Sequence, residues 1–167
     1  MLTRETKQIL ITVKAYPNPS KKYGETVCCA GVDLKTYQWV RLFPIPFRDL
    51  DSDKKFKKYS IVEVDCSKPR DDTRPESYSI NIDSLKVVKW LDTDKGTWGK
   101  RKAIVLKLPV KSMCQVYKDA AESKVSLGLI RPDNVTFHWS KQNLSDQRSR
   151  EACYAQLSFF NKRKNAV

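Results

Sequence analysis

The sequence has few of the residues and motifs from which enzymes commonly build active sites. It contains one histidine, His138, and no C-x-x-C pair, so no zinc-ligand pattern is recognisable. The glycine motifs of NTPases and dinucleotide-binding proteins are absent, as are the G-x-S-x-G and H-E-x-x-H motifs. These absences disfavour the corresponding enzyme classes, and we expect no cofactor and no catalytic residues.

Cysteine is present, but without the spacing of a disulfide framework. There are five cysteines, an odd number, and only Cys28 and Cys29 are adjacent. Neighbouring strand residues point to opposite faces, so we interpret the cysteines as reduced, small apolar residues. Cys28 and His138 supply the residue types of a nucleophile and its base, but nothing in the sequence brings them together. We favour a partly buried, structural His138.

Long apolar runs are also missing. No stretch approaches the ~20 apolar residues of a membrane-spanning helix, and the start of the chain does not read as a secretory signal. We therefore expect a cytoplasmic protein without a membrane partner.

Positive charge is what the sequence has in excess. Lys and Arg number 32 against 19 Asp and Glu, which gives a formal net charge of +13. Residues 101–167 alone carry 13 of the basic and 5 of the acidic residues. Nucleic acid, either DNA or RNA, is the first partner that this charge predicts.

Short β-rich runs separated by polar turns predict a mainly β fold. Strands are indicated at residues 8–14, 28–32, 38–43, 59–66, 78–82, 85–91 and 134–139. The second and third of these form a hairpin through the polar connection 33–37. Because few helices separate the strands, we predict an α+β fold that is mainly β, an OB-like small β-barrel with helical additions.

Three helices are predicted in the second half of the chain. Ser112 can cap a helix over residues 112–122, whose apolar residues recur on one face that we expect to pack on the sheet. Residues 97–108 suit a helix or a strand, and we favour the helix. Residues 151–160 are the third helical segment, and the charged segment 49–58 is read as a short helix or a loop.

Aromatic and basic residues occur together in the hairpin and in the loops near it. Basic groups can contact phosphates, and exposed rings can stack on bases. The candidates for nucleic-acid contact are Lys14, Tyr16, Lys21, Lys22, Tyr23, Arg41, Arg48, Lys100, Arg101 and Lys102. The sequence therefore predicts a non-enzymatic nucleic-acid-binding module.

Two alternatives remain open. In the first, the protein is an interaction subunit that docks onto a larger ATPase or nuclease through Phe43 and Phe47 of the proline-rich segment 43–47. The same apolar segment could equally be a packed corner of the barrel. A magnesium-dependent nuclease would need several carboxylates to converge. Those carboxylates are Glu63, Asp65, Asp71, Asp72 and Glu76. Alternation along 59–66 favours solvent-facing positions for Glu63 and Asp65.

Five segments, in this order, carry a resemblance to a known family: ILITVKAYPNPSKKYGETVCCAGVD, WVRLFPIPFR, KKYSIVEVDC, RPESYSI and SLGLIRP. Together they span about residues 9–132, and the chain there resembles the dual OB-containing domain of bacterial and phage-associated proteins. The resemblance implies two OB-like barrels and a nucleic-acid-binding role in a mobile-element or antiviral defence system. It supplies no catalytic residues.

The resemblance also implies a division of the chain. Residues 1–83 would form the first OB-like barrel, and residues 84–167 a second, helix-containing part packed on it. That second part is shorter than the family pattern after Trp139, so it is either incomplete or completed by another chain. In either case, we expect a protein partner in addition to nucleic acid.

Overall fold

The computed structural model describes residues 4–15, 18–20 and 24–139, and of residues 18–20, 24 and 25 only the backbone. Its strands are β1 (Glu5–Lys14), β2 (Asn18–Ser20), β3 (Gly24–Asp33), β4 (Trp39–Ile45), β5 (Ser60–Ser67), β6 (Ser77–Ile80) and β7 (Lys86–Trp90). Its helices are a 3-10 turn (Ile82–Ser84), α1 (Gly99–Val105) and α2 (Met113–Glu122). The predicted hairpin, the strands between residues 5 and 91, and the first two predicted helices are confirmed.

Five strands close into a barrel. The order is β1-β3-β4-β6-β5, and β5 pairs again with β1 to complete the ring. All neighbours are antiparallel except β4 and β6, which are parallel. Strand β2 pairs antiparallel with the start of β3, and β7 pairs antiparallel with β5. The fold is therefore an OB-like small β-barrel, as the sequence predicted, and the described residues add two α-helices to it.

Alternating side chains fill the barrel. Ile9 and Ile11 of β1 and Val40 and Leu42 of β4 point inward and are 2% exposed or less. Gly31 of β3 has a specific reason to lack a side chain. A Cβ at this position would lie 2.1 Å from the carbonyl oxygen of Leu10. Only glycine therefore lets β1 and β3 approach this closely.

Helix α1 covers part of the outside of the barrel. Leu10, Ile61 and Leu91 form a second buried cluster, against which Ile104 and Val105 of α1 pack. This explains why β1 carries three consecutive buried residues rather than a simple alternation. The α1 layer thus gives β1 and β5 an apolar neighbour on both faces.

Helix α2 is placed differently from our prediction. Ser112 caps it as expected, since its Oγ accepts a hydrogen bond from the amide of Gln115 at 3.2 Å. However, the helix has no buried residue, and Met113 and Tyr117 of the predicted packing face are 47% and 70% exposed. The prediction that this face packs on the sheet is wrong. Among the described residues, Val116 of the apolar stripe instead contacts the segment at Gly128.

Other expectations for the second half of the chain have mixed outcomes. Residues 134–139 do not form a strand, and His138 is exposed rather than partly buried. The segment 49–58 forms turns, and the predicted helix at 151–160 lies outside the described residues. Strand β7, beyond the predicted domain boundary at residue 83, joins the sheet of the barrel through β5. Among the described residues, no helix is long and apolar enough to cross a bilayer.

Candidate functional site

Strand β4 presents a row of three side chains on the outside of the barrel. Trp39, Arg41 and Phe43 alternate with the inward-facing Val40 and Leu42, as the two-residue period of a strand requires. The guanidinium carbon of Arg41 lies 5.4 Å from the centre of the Phe43 ring. Trp39, Arg41 and Phe43 thus share one outer face of β4, where each side chain is half-buried.

The loop between β5 and β6, residues 68–76, adds further cations beside this row. Asp72 links this loop to strand β4. Its Oδ2 accepts hydrogen bonds from Arg41 at 2.9 Å and from Arg74 at 2.8 Å, while its Oδ1 accepts from Arg74 Nε at 2.8 Å. The hydrogen bonds with Arg74 hold the pKa of the Asp72 carboxyl well below its usual range, and they raise the pKa of Arg74. Both guanidinium groups are therefore held in fixed orientations.

Backbone contacts fix the same loop to the barrel. The amide of Arg41 donates to the carbonyl of Glu76 at 2.7 Å, which continues the short parallel pairing of β4 with β6. Lys68 donates to the carbonyl of Pro75, and its ammonium lies 3.8 Å from the centre of the Tyr78 ring. The two ends of the loop are thus tied together.

Residues that follow α2 form the opposite wall. The buried carboxylate of Glu76 accepts hydrogen bonds from the amide and the hydroxyl of Ser126, both at 2.6 Å. Its second oxygen, Oε2, is buried and lacks a hydrogen-bond partner among the described residues. The Glu76 carboxylate therefore holds the segment after α2 against the β4–β6 side of the barrel.

A cleft of about 770 Å³ lies between the loop and the α2 wall. Its charged lining consists of four cations, Arg41, Arg70, Arg74 and Lys124, and two carboxylates, Asp71 and Asp72. Phe43 contributes an aromatic ring to the same lining. Because Asp72 is already paired with two arginines, the exposed Arg70 and Lys124 and the partly exposed Arg74 give the cleft a net positive charge.

A family model, the domain of unknown function DUF8758, matches residues 5–107. The chain belongs to this family. The matched span contains all seven strands and α1, but not α2 or the second wall of the cleft. Neither a curated protein nor a solved structure matches the chain significantly.

Lys14 and Phe47, two residues that the sequence assigned to contacts with partners, make their contacts within the fold of the DUF8758 domain. The ammonium of Lys14 lies 3.1 Å from the centre of the Phe47 ring and donates to the carbonyl of Phe56 at 3.4 Å. Burial lowers the pKa of Lys14. Phe47 packs edge-to-face on Phe56, with ring centres 5.3 Å apart. These contacts agree with the packed-corner reading for Phe47. Lys14 does not line the cleft.

The predicted basic cluster on α1 is split. Lys100 is exposed and lies 3.6 Å from Asp92, and Lys102 is also exposed. Arg101 is only 6% exposed, and its guanidinium donates two hydrogen bonds to the carbonyl of Leu91, at 3.0 and 2.7 Å. Arg101 thus attaches α1 to the barrel, and we leave it out of the candidate interface.

The remaining predicted residues divide between the surface and the undescribed part of the chain. Arg48 is exposed just after β4. Four further candidates, Tyr16, Lys21, Lys22 and Tyr23, lie outside the described residues. Their predicted role stays a prediction.

The carboxylates of the nuclease alternative are held apart. Glu63 accepts a hydrogen bond from Gln8 at 2.8 Å, Asp65 accepts one from Thr6 at 2.6 Å, and Asp72 pairs with arginines. In the part of the chain that the structure describes, no three His, Cys, Asp or Glu residues are grouped to hold a metal ion. The described geometry therefore gives the nuclease alternative no metal centre.

Sequence reasoning missed the cations of the loop and of the α2 wall. Arg70, Arg74 and Lys124 were not among the predicted contacts, although the run from Lys68 to Arg74 is strongly charged. A usable signal was the position of this run between the fourth and fifth strands of the barrel. The loops at that position of OB folds adjoin the ligand-binding face.

Proposed function

We propose that this protein is a non-enzymatic module that binds DNA or RNA, and that the cleft beside β4, built from the DUF8758 domain and the segment after α2, contacts the nucleic acid. The observation that carries the proposal is the convergence of Arg41 and Phe43 with the arginine-rich loop 68–76. In OB folds, the face of the second and third barrel strands and the loop between the fourth and fifth bind oligonucleotides. Strand β4 and loop 68–76 occupy those positions here.

The division of labour in the cleft follows from exposure. Arg70, Arg74 and Lys124 can reach phosphate oxygens, since these side chains are exposed or partly exposed. Phe43 offers a ring for stacking beside the Arg41 guanidinium. Asp72 orients Arg41 and Arg74 rather than contacting the ligand. Phosphate contacts and stacking carry little base information, so binding should depend on form more than on sequence.

Direct binding measurements test this proposal. Fluorescence anisotropy with labelled oligo(dT) and oligo(U) at low salt should show saturable binding, and Arg74→Ala should weaken it about ten-fold by removing a charged hydrogen bond to phosphate. Lys118→Ala is the matched control, because Lys118 lies two residues from Ala120, on the side of α2 away from the cleft. Absence of binding, or equal affinity of all three proteins, would overturn the proposal.

The cellular setting is part of the same proposal. The resemblance to dual OB-containing proteins suggests a mobile-element or antiviral defence system, with a protein partner beside the nucleic acid. Purification of the protein with its genomic neighbours tests this setting. Nuclease treatment and high salt would then separate partners held by nucleic acid from partners held by protein contacts.

A further inference from the structure

Two tryptophans are half exposed on a part of the surface that the cleft does not use. Trp90 at the end of β7 is 50% exposed, and Trp98 before α1 is 43% exposed. Neither residue lines the cleft. Strand β7 pairs with β5, whereas the cleft is built on β4 and β6. We call Trp90, Trp98 and the neighbouring Lys57 and Lys58 the tryptophan surface.

An internal cation holds the rings of the tryptophan surface in place. The guanidinium carbon of the buried Arg101 lies 5.8 Å from the Trp90 ring centre and 5.4 Å from that of Trp98. It lies 3.9 Å from the ring centre of Tyr59, which packs edge-to-face on Trp98. The indole of Trp90 also donates to the carbonyl of Lys58 at 3.1 Å. Both rings are therefore oriented before any ligand arrives.

Backbone geometry points in the same direction. Trp98 has a φ of 61° and Tyr59 a φ of 66°, which lie in the left-handed region that bulky residues seldom adopt. Strained residues of this kind persist where the surrounding structure enforces them, and they concentrate at functional sites. Here two strained residues support one aromatic cluster with half-exposed rings.

Charge around the rings selects the class of ligand. The ammonium of Lys57 lies 5.9 Å from the Trp90 ring centre, and Lys57 and Lys58 are both exposed. On the connection to α1, the carboxylates of Asp92 and Asp94 lie 3.6 and 4.0 Å from the Lys100 ammonium. Exposed aromatic rings can stack on bases, and neighbouring cations can contact phosphates, so this combination suits single-stranded nucleic acid.

We propose that the tryptophan surface is a second contact site for single-stranded nucleic acid. Bases stack on Trp90 and Trp98, while Lys57 and Lys58 contact phosphates. The ligand class is that of the proposed function, but the residues are different. A strand long enough to reach both sites therefore binds more tightly than one that fills the cleft alone.

The experiment uses labelled oligo(dT) of about 30 nucleotides, longer than the ~4–16 nucleotides that one OB fold occupies. Anisotropy should show that Trp90→Ala weakens binding about ten-fold, the loss of one stacked base. Lys57→Glu is a second variant that leaves packing intact, and it should weaken binding about five-fold. Lys118→Glu carries the same charge change on α2 and should have little effect. Circular dichroism checks that each variant is folded.

Which variants lose affinity for the oligonucleotide distinguishes failure of this inference from failure of the proposed function. Trp90→Ala and Lys57→Glu should weaken binding also when Arg74 is replaced by alanine, because the tryptophan surface is a different site. If Arg74→Ala weakens binding while the two surface variants bind like the wild type, only the second site is wrong. If the wild type binds no oligonucleotide, both proposals fail. If polyglutamate competes as well as unlabelled oligonucleotide, and Trp90→Ala binds like the wild type, charge alone accounts for binding and the inference is overturned.

Discussion

At the scale of single residues, burial decides what the reactive side chains can do. Cys29 and Cys66 lie in the core of the barrel, 0% and 2% exposed. Burial raises the pKa of the Cys29 thiol to about 12 and that of Cys66 to about 11. The thiolate is the reactive form of cysteine, so both thiols should be inert in the folded protein. For Cys29 and Cys66 this agrees with our interpretation of the cysteines as small apolar residues, whereas Cys114 is exposed.

Alkylation with iodoacetamide at mildly alkaline pH tests that assignment. Cys114, exposed on α2, should be modified well before Cys29 and Cys66, which should react only after unfolding. Peptide mass spectrometry identifies the modified positions, and the same reaction in urea is the control. Modification of Cys29 in the native protein at the rate of Cys114 would contradict the described core.

A buried ion pair also sets a pH dependence. Lys7 and Asp33 lie 3.0 Å apart, with side chains 9% and 3% exposed. Burial acts to raise the pKa of Asp33, but hydrogen bonds from the Lys35 amide and from Lys7 lower it overall. For Lys7, burial acts to lower the pKa, but hydrogen bonds to Asp33 and Glu5 raise it overall. The pair therefore stabilises the fold between about pH 4 and 10.

Asp33→Asn tests this ion pair. Because the folded pKa of Asp33 lies below the unfolded one, its stabilisation is fully present above about pH 4 and is lost as the pH falls further. The variant should be less stable than the wild type near neutral pH, and the difference should shrink in acid. Urea unfolding followed by circular dichroism at several pH values measures it. A difference independent of pH would show that the carboxylate charge is not responsible.

At the scale of helices and strands, the sequence predicted elements that depend on neighbouring residues, but not contacts between residues far apart in the chain. The hairpin of β3 and β4 was predicted correctly because its alternation and its polar connection lie within one short segment. Arg101 was predicted to contact phosphate because Lys100 and Lys102 flank it. Its burial depends on Tyr59, just before β5, and Leu91, just after β7. Neighbours in sequence could not reveal this.

Arg101→Leu tests the attachment of α1. The substitution removes two hydrogen bonds to the Leu91 carbonyl and the contact with the Tyr59 ring, so we expect a loss of about 1–3 kcal/mol in the free energy of unfolding. Lys102→Leu is the matched control on the same helix. It should change stability by less than about 0.5 kcal/mol, because Lys102 is exposed. Equal effects of the two substitutions would contradict the attachment role.

At the scale of the whole molecule, closure of the barrel creates the cleft. Arg41 and Asp72 lie 31 residues apart in sequence, and the parallel pairing of β4 with β6 brings them to 2.9 Å. The sequence predicted the barrel class from its short strands and named Arg41 as a nucleic-acid contact, whereas it assigned Phe43 to protein docking. It did not reveal Arg74 or Lys124, since only the strand order shows which loops share a face.

The salt dependence of binding separates the two kinds of contact that this cleft combines. Each phosphate contact to a single strand contributes about −0.7 to the slope of log affinity against log salt. Arg74→Ala should therefore flatten the slope by about that amount. Phe43→Ala should weaken binding about ten-fold through lost stacking while leaving the slope unchanged, because stacking releases no counterions. Anisotropy titrations across a range of salt concentrations measure both quantities. If Arg74→Ala leaves the slope unchanged, or if Phe43→Ala flattens it equally, then the proposal that Arg74 contacts phosphate while Phe43 stacks on a base is wrong.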